Sequence, residues 1–142
     1  MYFYKNNDGV LIKELSNDFV KYMNWSKDLP KPYGVEGSEN LLEKIAFDMH
    51  KAITITAPGF YGPQGRKIRL DLADETINSK IGGFIFNKTK AANYEMETSS
   101  LYALGKNLGH NVLTICNVIA NRETGEFVVN NVSSKDQFAI FA

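Results

Sequence analysis

One short stretch constrains the architecture more than any other. Ala52-Ile53-Thr54-Ile55-Thr56-Ala57 is a β-branched run, stopped by Pro58-Gly59 and followed by a loop that holds Gly62, Pro63 and Gly65. β-branched side chains suit a pleated, half-buried surface, and a Pro-Gly pair cannot extend it, so a strand must end at Ala57. Upstream, Ser38 is of N-cap type, Glu39 stands in the first turn, and Leu41, Leu42, Ile45, Ala46 and Met49 share one face. That spacing predicts a helix from Ser38 to about Lys51 leading into the strand.

The same αβ order recurs along the chain. Leu11, Leu15, Phe19, Val20 and Met23 fall at helical spacing with polar residues between them, which predicts an amphipathic helix. Pro30 and Pro32 force extended backbone on their predecessors, so Ser26 to Gly34 is a connector. Residues 69–83 show no clean period and 84–90 alternate only weakly; both read as irregular. Ala91 to Glu95 reads as a strand. A helix follows with Leu101, Leu104 and Leu108 on one face, closed by Gly109 and His110. Val112 to Ala120 is apolar on both parities, as expected of a strand covered on both faces in a parallel sheet. Ser133 begins a last helix, with Phe138, Ile140 and Phe141 available for packing. Alternating strands and helices make this an α/β protein, and residues 1–142 read as one domain with a single core.

Composition narrows the partners. Sixteen Lys and Arg balance sixteen Asp and Glu, so no bulk basic field exists to hold nucleic acid or an anionic membrane surface. The apolar share of 44% is that of a globular chain rather than a disordered one. Cys116 is the only cysteine, which excludes an intramolecular disulfide and fits a reducing, cytoplasmic compartment. His50 and His110 are far apart in sequence and form no zinc-ligand spacing; each suits a helix C-terminus, and no metal or organic cofactor is expected. Cys116, inside an apolar run, reads as a small buried hydrophobe. The N-terminal residues lack an apolar signal region, and no apolar run reaches the ~18 residues of a membrane span.

Two segments concentrate chemistry-bearing residues. Phe60, Gln64 and Arg66 lie within seven residues of loop after one strand; Asn93-Tyr94-Glu95-Met96-Glu97-Thr98 ends another. In α/β sheets ligands bind outside the carboxyl ends of strands, so both segments are expected at one pocket. A ring, a side-chain amide and a guanidinium match a flat heterocycle with an imide N–H between carbonyls, a pyrimidine dione such as uracil. The bland alternative stands beside it, because Gly/Pro loops with an aromatic plug and a surface Arg are common turns. Glu95 and Glu97 share a face in a continuing strand, where they suit sugar hydroxyls; they are helix-initiating acids instead if a helix starts at Thr98.

Phe60-Tyr61-Gly62-Pro63-Gln64-Gly65-Arg66, Asn93-Tyr94-Glu95-Met96-Glu97-Thr98-Ser99 and Asn117-Val118-Ile119-Ala120-Asn121-Arg122, in that order, resemble the uridine phosphorylase branch of the nucleoside phosphorylase family. The resemblance runs through nearly the whole chain but covers only the C-terminal half of the family's domain. It implies that half of a three-layer α/β sandwich; the N-terminal half, with its glycine-rich phosphate loop and phosphate-holding arginines, has no counterpart here. Phe60 is then expected to stack near the nucleoside, Gln64 and Arg66 to bond the uracil, and Glu95, Met96 and Glu97 to surround the ribose. Tyr94 lies beside the base, Ile119 and Ala120 form an apolar wall, and Arg122 supports Arg66. Arg66 and Glu97 take the catalytic roles. Purine-cleaving relatives place an acid where this chain has Asn117 to Asn121, which favours uracil. The implied activity is phosphate-dependent cleavage of uridine to uracil and ribose 1-phosphate, with inorganic phosphate as co-substrate. A homo-oligomer or a complementing N-terminal half is the expected partner. The alternatives are a non-catalytic nucleoside-binding remnant, or a purine nucleoside phosphorylase or nucleosidase.

Overall fold

The computed structural model describes residues 9–121 and the strand at 138–141. Helix α1 (Lys13–Tyr22) and helix α2 (Glu39–Ile45) precede strand β1 (His50–Thr56), and a 3-10 turn occupies Gly62–Gln64. Helix α3 (Ile77–Gly83), a hairpin of β2 (Ile85–Phe86) and β3 (Thr89–Glu95), helix α4 (Thr98–Asn107), β4 (Thr114–Asn117) and β5 (Phe138–Phe141) follow. The strands form one mixed sheet in the order β2-β3-β1-β5-β4. β1 lies parallel to both β3 and β5, whereas the β2–β3 and β4–β5 pairs are antiparallel.

The core forms where α1 and α3 meet the sheet. Phe19, Met23, Ile81, Phe84 and Ala91 are buried together, with Trp25, Ile53, Ile55 and Tyr94 packed around them. Phe19 meets Phe84 edge-on at 5.1 Å between ring centroids, the arrangement that aromatic quadrupoles favour. The connector after α1 is fastened at both ends. Ile12 N–H donates to the Gly34 carbonyl at 2.8 Å, Gly34 N–H donates to Ser16 Oγ at 2.9 Å, and Trp25 Nε1 donates to the Pro30 carbonyl at 3.1 Å. Two prolines keep this segment out of a helix, and the three bonds give its backbone groups partners.

Several expectations are corrected. The helix from Ser38 is capped as expected, its hydroxyl accepting from Leu41 N–H, but it ends at Ile45 rather than near Lys51. His50 to Ala52 pair instead with Ala139 to Phe141, so long-range ladder bonds take the residues that local periodicity gave to a helix. His50 therefore opens a strand, not a helix end. The stretch read as irregular contains α3 and the hairpin. Asp74 starts α3 by accepting from Thr76 N–H, and Asn87 and Lys88 both adopt positive φ, +47° and +68°, as a two-residue primed turn requires. Val112 to Ala120 does not form a central parallel strand. β4 is an edge strand, antiparallel to β5, and Cys116 on it is half-buried. Residues 138–141, assigned from sequence to a final helix, form strand β5; residues 133–137 of that helix lie outside the described residues.

The buried face of α4 is also not the leucine face expected, of which only Leu104 is half-buried. Thr98, Tyr102, Ala103 and Gly105 are buried, whereas Leu101 and Leu108 are exposed. Close approach explains the choice. A Cβ on Gly105 would collide with the Val112 side chain, and one on Gly37, before α2, would lie 2.9 Å from the Tyr102 ring, so glycines at these two places let α4 and its Tyr102 ring pack closely. The Tyr102 hydroxyl then accepts from Thr114 N–H at 2.8 Å and joins α4 to β4.

Phe84 is the largest fully buried side chain, 2% exposed. Phe84→Ala should lower the unfolding free energy by about 3–5 kcal/mol, the range for emptying an aromatic core site. Urea titration checks this, with Ile85→Ala, at an exposed neighbour, expected within about 0.5 kcal/mol of the parent.

Candidate functional site

β1 and β3 run parallel and end side by side, Thr56 opposite Glu95, with Ala57 N–H donating to the Glu95 carbonyl at 2.9 Å. The loop after β1 and the segment after β3 therefore emerge together at the carboxyl ends of adjacent strands. This is the juxtaposition that α/β topology offers to ligands.

The loop closes on its own backbone. Gln64 and Arg66 N–H both donate to the Tyr61 carbonyl at 3.0 Å, and Gly65 N–H donates to the Gly62 carbonyl at 2.9 Å. Gly65 has φ +67°, a left-handed conformation that costs glycine nothing. Three of the expected residues converge here. Arg66 places its guanidinium 3.4 Å from the centroid of the Phe60 ring, and its Nη1 donates to Gln64 Oε1 at 3.0 Å and to the Phe60 carbonyl. Because arginine only donates, the Gln64 amide oxygen must be the atom that faces it. Gln64 is 3% exposed, Phe60 53%. A buried amide thus carries a guanidinium that covers one face of an outward ring.

The acids divide their work. Glu95 Oε1 accepts from the Thr56 hydroxyl, while Oε2 accepts from Glu97 N–H at 2.6 Å and Thr98 N–H at 2.5 Å. Thr56 Oγ1 in turn accepts from Ser99 N–H at 3.0 Å. The first amides of α4 are therefore satisfied by Glu95 and Thr56, and the carboxylate lies at the positive end of the helix dipole. Glu97 is the N-cap residue of α4 but makes no side-chain capping bond, and both it and Met96 are exposed. The helix reading of this pair holds: β3 ends at Glu95 and α4 starts at Thr98, so the two acids share no strand face, Glu95 bonds the first amides and Glu97 is exposed.

Tyr94 is half-buried against the core and donates its hydroxyl to Asn78 Oδ1 at 3.0 Å. Ile119 and Ala120 lie beyond β4, Ile119 at 69% exposure, and Arg122 lies outside the described residues. Two residues that sequence reasoning missed hold the site together. Thr56 joins β1 to Glu95, and Asn78 of α3 donates to the Gly65 carbonyl at 3.3 Å. Asn78 fell in a stretch without period, and Thr56 read only as a strand residue. Beneath the loop lies a cavity of about 680 Å³, walled by apolar groups such as Phe19, Trp25, Ile53 and Tyr102; Thr56, Pro63 and Ser99 form its boundary with the site. Cys116 is near enough to feel Glu95: burial raises the thiol pKa first, and the carboxylate charge raises it further.

Among the described residues, no three His, Cys, Asp or Glu side chains cluster as a metal site, and no helix is long and apolar enough to cross a membrane. In comparison with known proteins, residues 14–139 match the family model described as the phosphorylase superfamily. No curated protein and no solved structure matches the chain.

The division between the two acids is testable by stability. Glu95→Ala removes bonds to two amides and a hydroxyl and should cost about 1–3 kcal/mol of unfolding free energy. Glu97→Ala should stay within about 0.5 kcal/mol of the parent. Equal losses in denaturant titrations of the two variants would assign Glu97 a structural role as well.

Proposed function

This chain belongs to the phosphorylase superfamily, and from that membership and the geometry above we propose that it binds a nucleoside and supports phosphate-dependent cleavage of the glycosidic bond, with uridine as substrate. The observation that carries the reading is the parallel β1–β3 pair, which brings the Phe60–Arg66 loop beside the Glu95–Glu97 segment. An amide and a guanidinium suit the edge of a base, and the outward Glu97 carboxylate suits the hydroxyls of the attached sugar.

The roles follow from the charges that develop. Breaking the bond between sugar and base leaves positive charge on the ribose and negative charge on the departing uracil. Arg66 and Gln64 donate N–H groups to the uracil carbonyls and stabilise the anion; a well-placed donor contributes on the order of 3 kcal/mol, about a hundredfold in rate. Glu97 accepts from the ribose hydroxyls and holds the sugar while phosphate attacks the anomeric carbon. Phosphate is not held by the start of α4, because the amides there already donate to Glu95 and Thr56. Phe60 offers its ring to the base once Arg66 moves off it, and Ile119 and Ala120 supply apolar contact at the pocket's edge.

Base selectivity provides the test. Cytosine replaces the O4 acceptor with a donor and lacks the N3 proton, so it leaves Arg66 and Gln64 facing unmatched groups at ~1–3 kcal/mol each. Uridine should therefore be preferred over cytidine by at least about a hundredfold in calorimetric titration or in release of the free base with phosphate. Gln64→Ala should erode that preference and Ile119→Val should leave most of it. Equal affinity of the parent chain for both nucleosides would reduce the Phe60–Arg66 loop to a turn.

A further inference from the structure

The loop that carries Gln64 and Arg66 is fastened to the rest of the molecule by a side chain to which the proposed reaction gives no role. Asn78, the second residue of α3, lies against Gly65 so closely that a Cβ there would overlap its amide group. The orientation of that amide is set by its neighbours. The Gly65 carbonyl can only accept, so Nδ2 faces it at 3.3 Å; Oδ1 then faces Tyr94, whose hydroxyl donates at 3.0 Å. Tyr94 immediately precedes Glu95, which starts α4. A continuous path of hydrogen bonds thus runs from the turn holding Gln64 and Arg66, through Asn78, to the strand end that presents the acids.

We infer that Asn78 is a positioning residue: it locks the Gln64–Arg66 turn to β3 and sets the spacing between the amide–guanidinium pair and Glu97. Its mechanical part stands on the bonds above. Its consequence for ligand recognition rests on the nucleoside reading. A residue that merely filled space would tolerate an isosteric replacement, whereas a donor to Gly65 would not. Asn78→Asp keeps the shape and the acceptor toward Tyr94 but turns the donor into a charged oxygen that repels the Gly65 carbonyl. Asn78→Ala removes both bonds, and Tyr94→Phe removes the far one.

Amide hydrogen exchange on the intact chain separates these roles without any ligand. Exchange at Gln64, Gly65 and Arg66 should quicken by about tenfold in both Asn78→Asp and Asn78→Ala, with Ile53 and Ile55 of β1 unchanged. Tyr94→Phe should give a smaller acceleration. In calorimetry with uridine and cytidine, both Asn78 variants should weaken uridine by about tenfold and lower the uridine-to-cytidine ratio, because the recognising pair rather than the whole fold has loosened. Unchanged loop exchange in the two Asn78 variants overturns the inference. A loosened loop with an unchanged nucleoside ratio overturns the role in recognition. Quickened loop exchange in the Asn78 variants, together with a parent chain that binds neither nucleoside, upholds the positioning role and overturns the nucleoside reading. Should Asn78→Ala fail to fold, the isosteric Asp variant decides the exchange comparison.

Discussion

The carboxylate of Glu95 joins three elements that would otherwise end independently. It takes the hydroxyl of Thr56 at the end of β1 and the amides of Glu97 and Thr98 at the start of α4, while its own backbone ends β3. Hydrogen bonds to a carboxylate contribute more than neutral ones, and the helix dipole acts in the same direction. The physical consequence is a trade. A carboxylate with three donors already in place is poorly suited to accept from a further group, whereas the acid two residues later is exposed and makes no capping bond. Two glutamates of identical chemistry thus differ in role because only one of them lies over a helix start.

The same economy appears in the loop after β1. Its backbone is closed by three short hydrogen bonds, its left-handed residue is glycine, and its underside is held by Asn78. Little conformational entropy remains to be lost there when a ligand arrives, which is the general advantage of a preorganised site. The β1–β3 pairing fixes where the loop starts, and the Asn78–Tyr94 contact fixes where it ends up.

Much of this was legible in the sequence, for local reasons. α1, the proline connector, the Ser38 cap, β1 and the strand–helix junction at Glu95 each carry their own signal in spacing, capping or β-branching. The misses share a different cause. α2 ends at Ile45 because His50 to Ala52 pair with a strand almost ninety residues away, which no window around Met49 contains. β4 reads as a covered strand of a parallel sheet because its residues are apolar, yet among the described residues it pairs only with β5, antiparallel, and Ile115 is exposed. α4 shows leucines outward because Gly105 and Gly37 permit close packing that leucine side chains would prevent. The candidate site follows the same rule: Phe60, Gln64, Arg66 and Glu97 stand out in the sequence by residue type, whereas Thr56 and Asn78 act only through partners brought by the fold.

Under the proposed nucleoside reading, Arg66 would have to move before the Phe60 ring could take a base. Its guanidinium covers the Phe60 ring, the surface on which a flat base would stack. An exposed cation–π contact contributes about 0.5–1 kcal/mol, and an aromatic stacking contact about 0.5–1.5 kcal/mol, so exchanging one for the other is close to neutral. The bond from Nη1 to Gln64 is 3.0 Å and links Arg66 to the buried amide from which it would turn toward a ligand carbonyl. The backbone can therefore remain rigid while one long side chain moves. In the present arrangement the guanidinium covers one face of the ring, which is otherwise 53% exposed, and under the nucleoside reading that face is the one a base would take over.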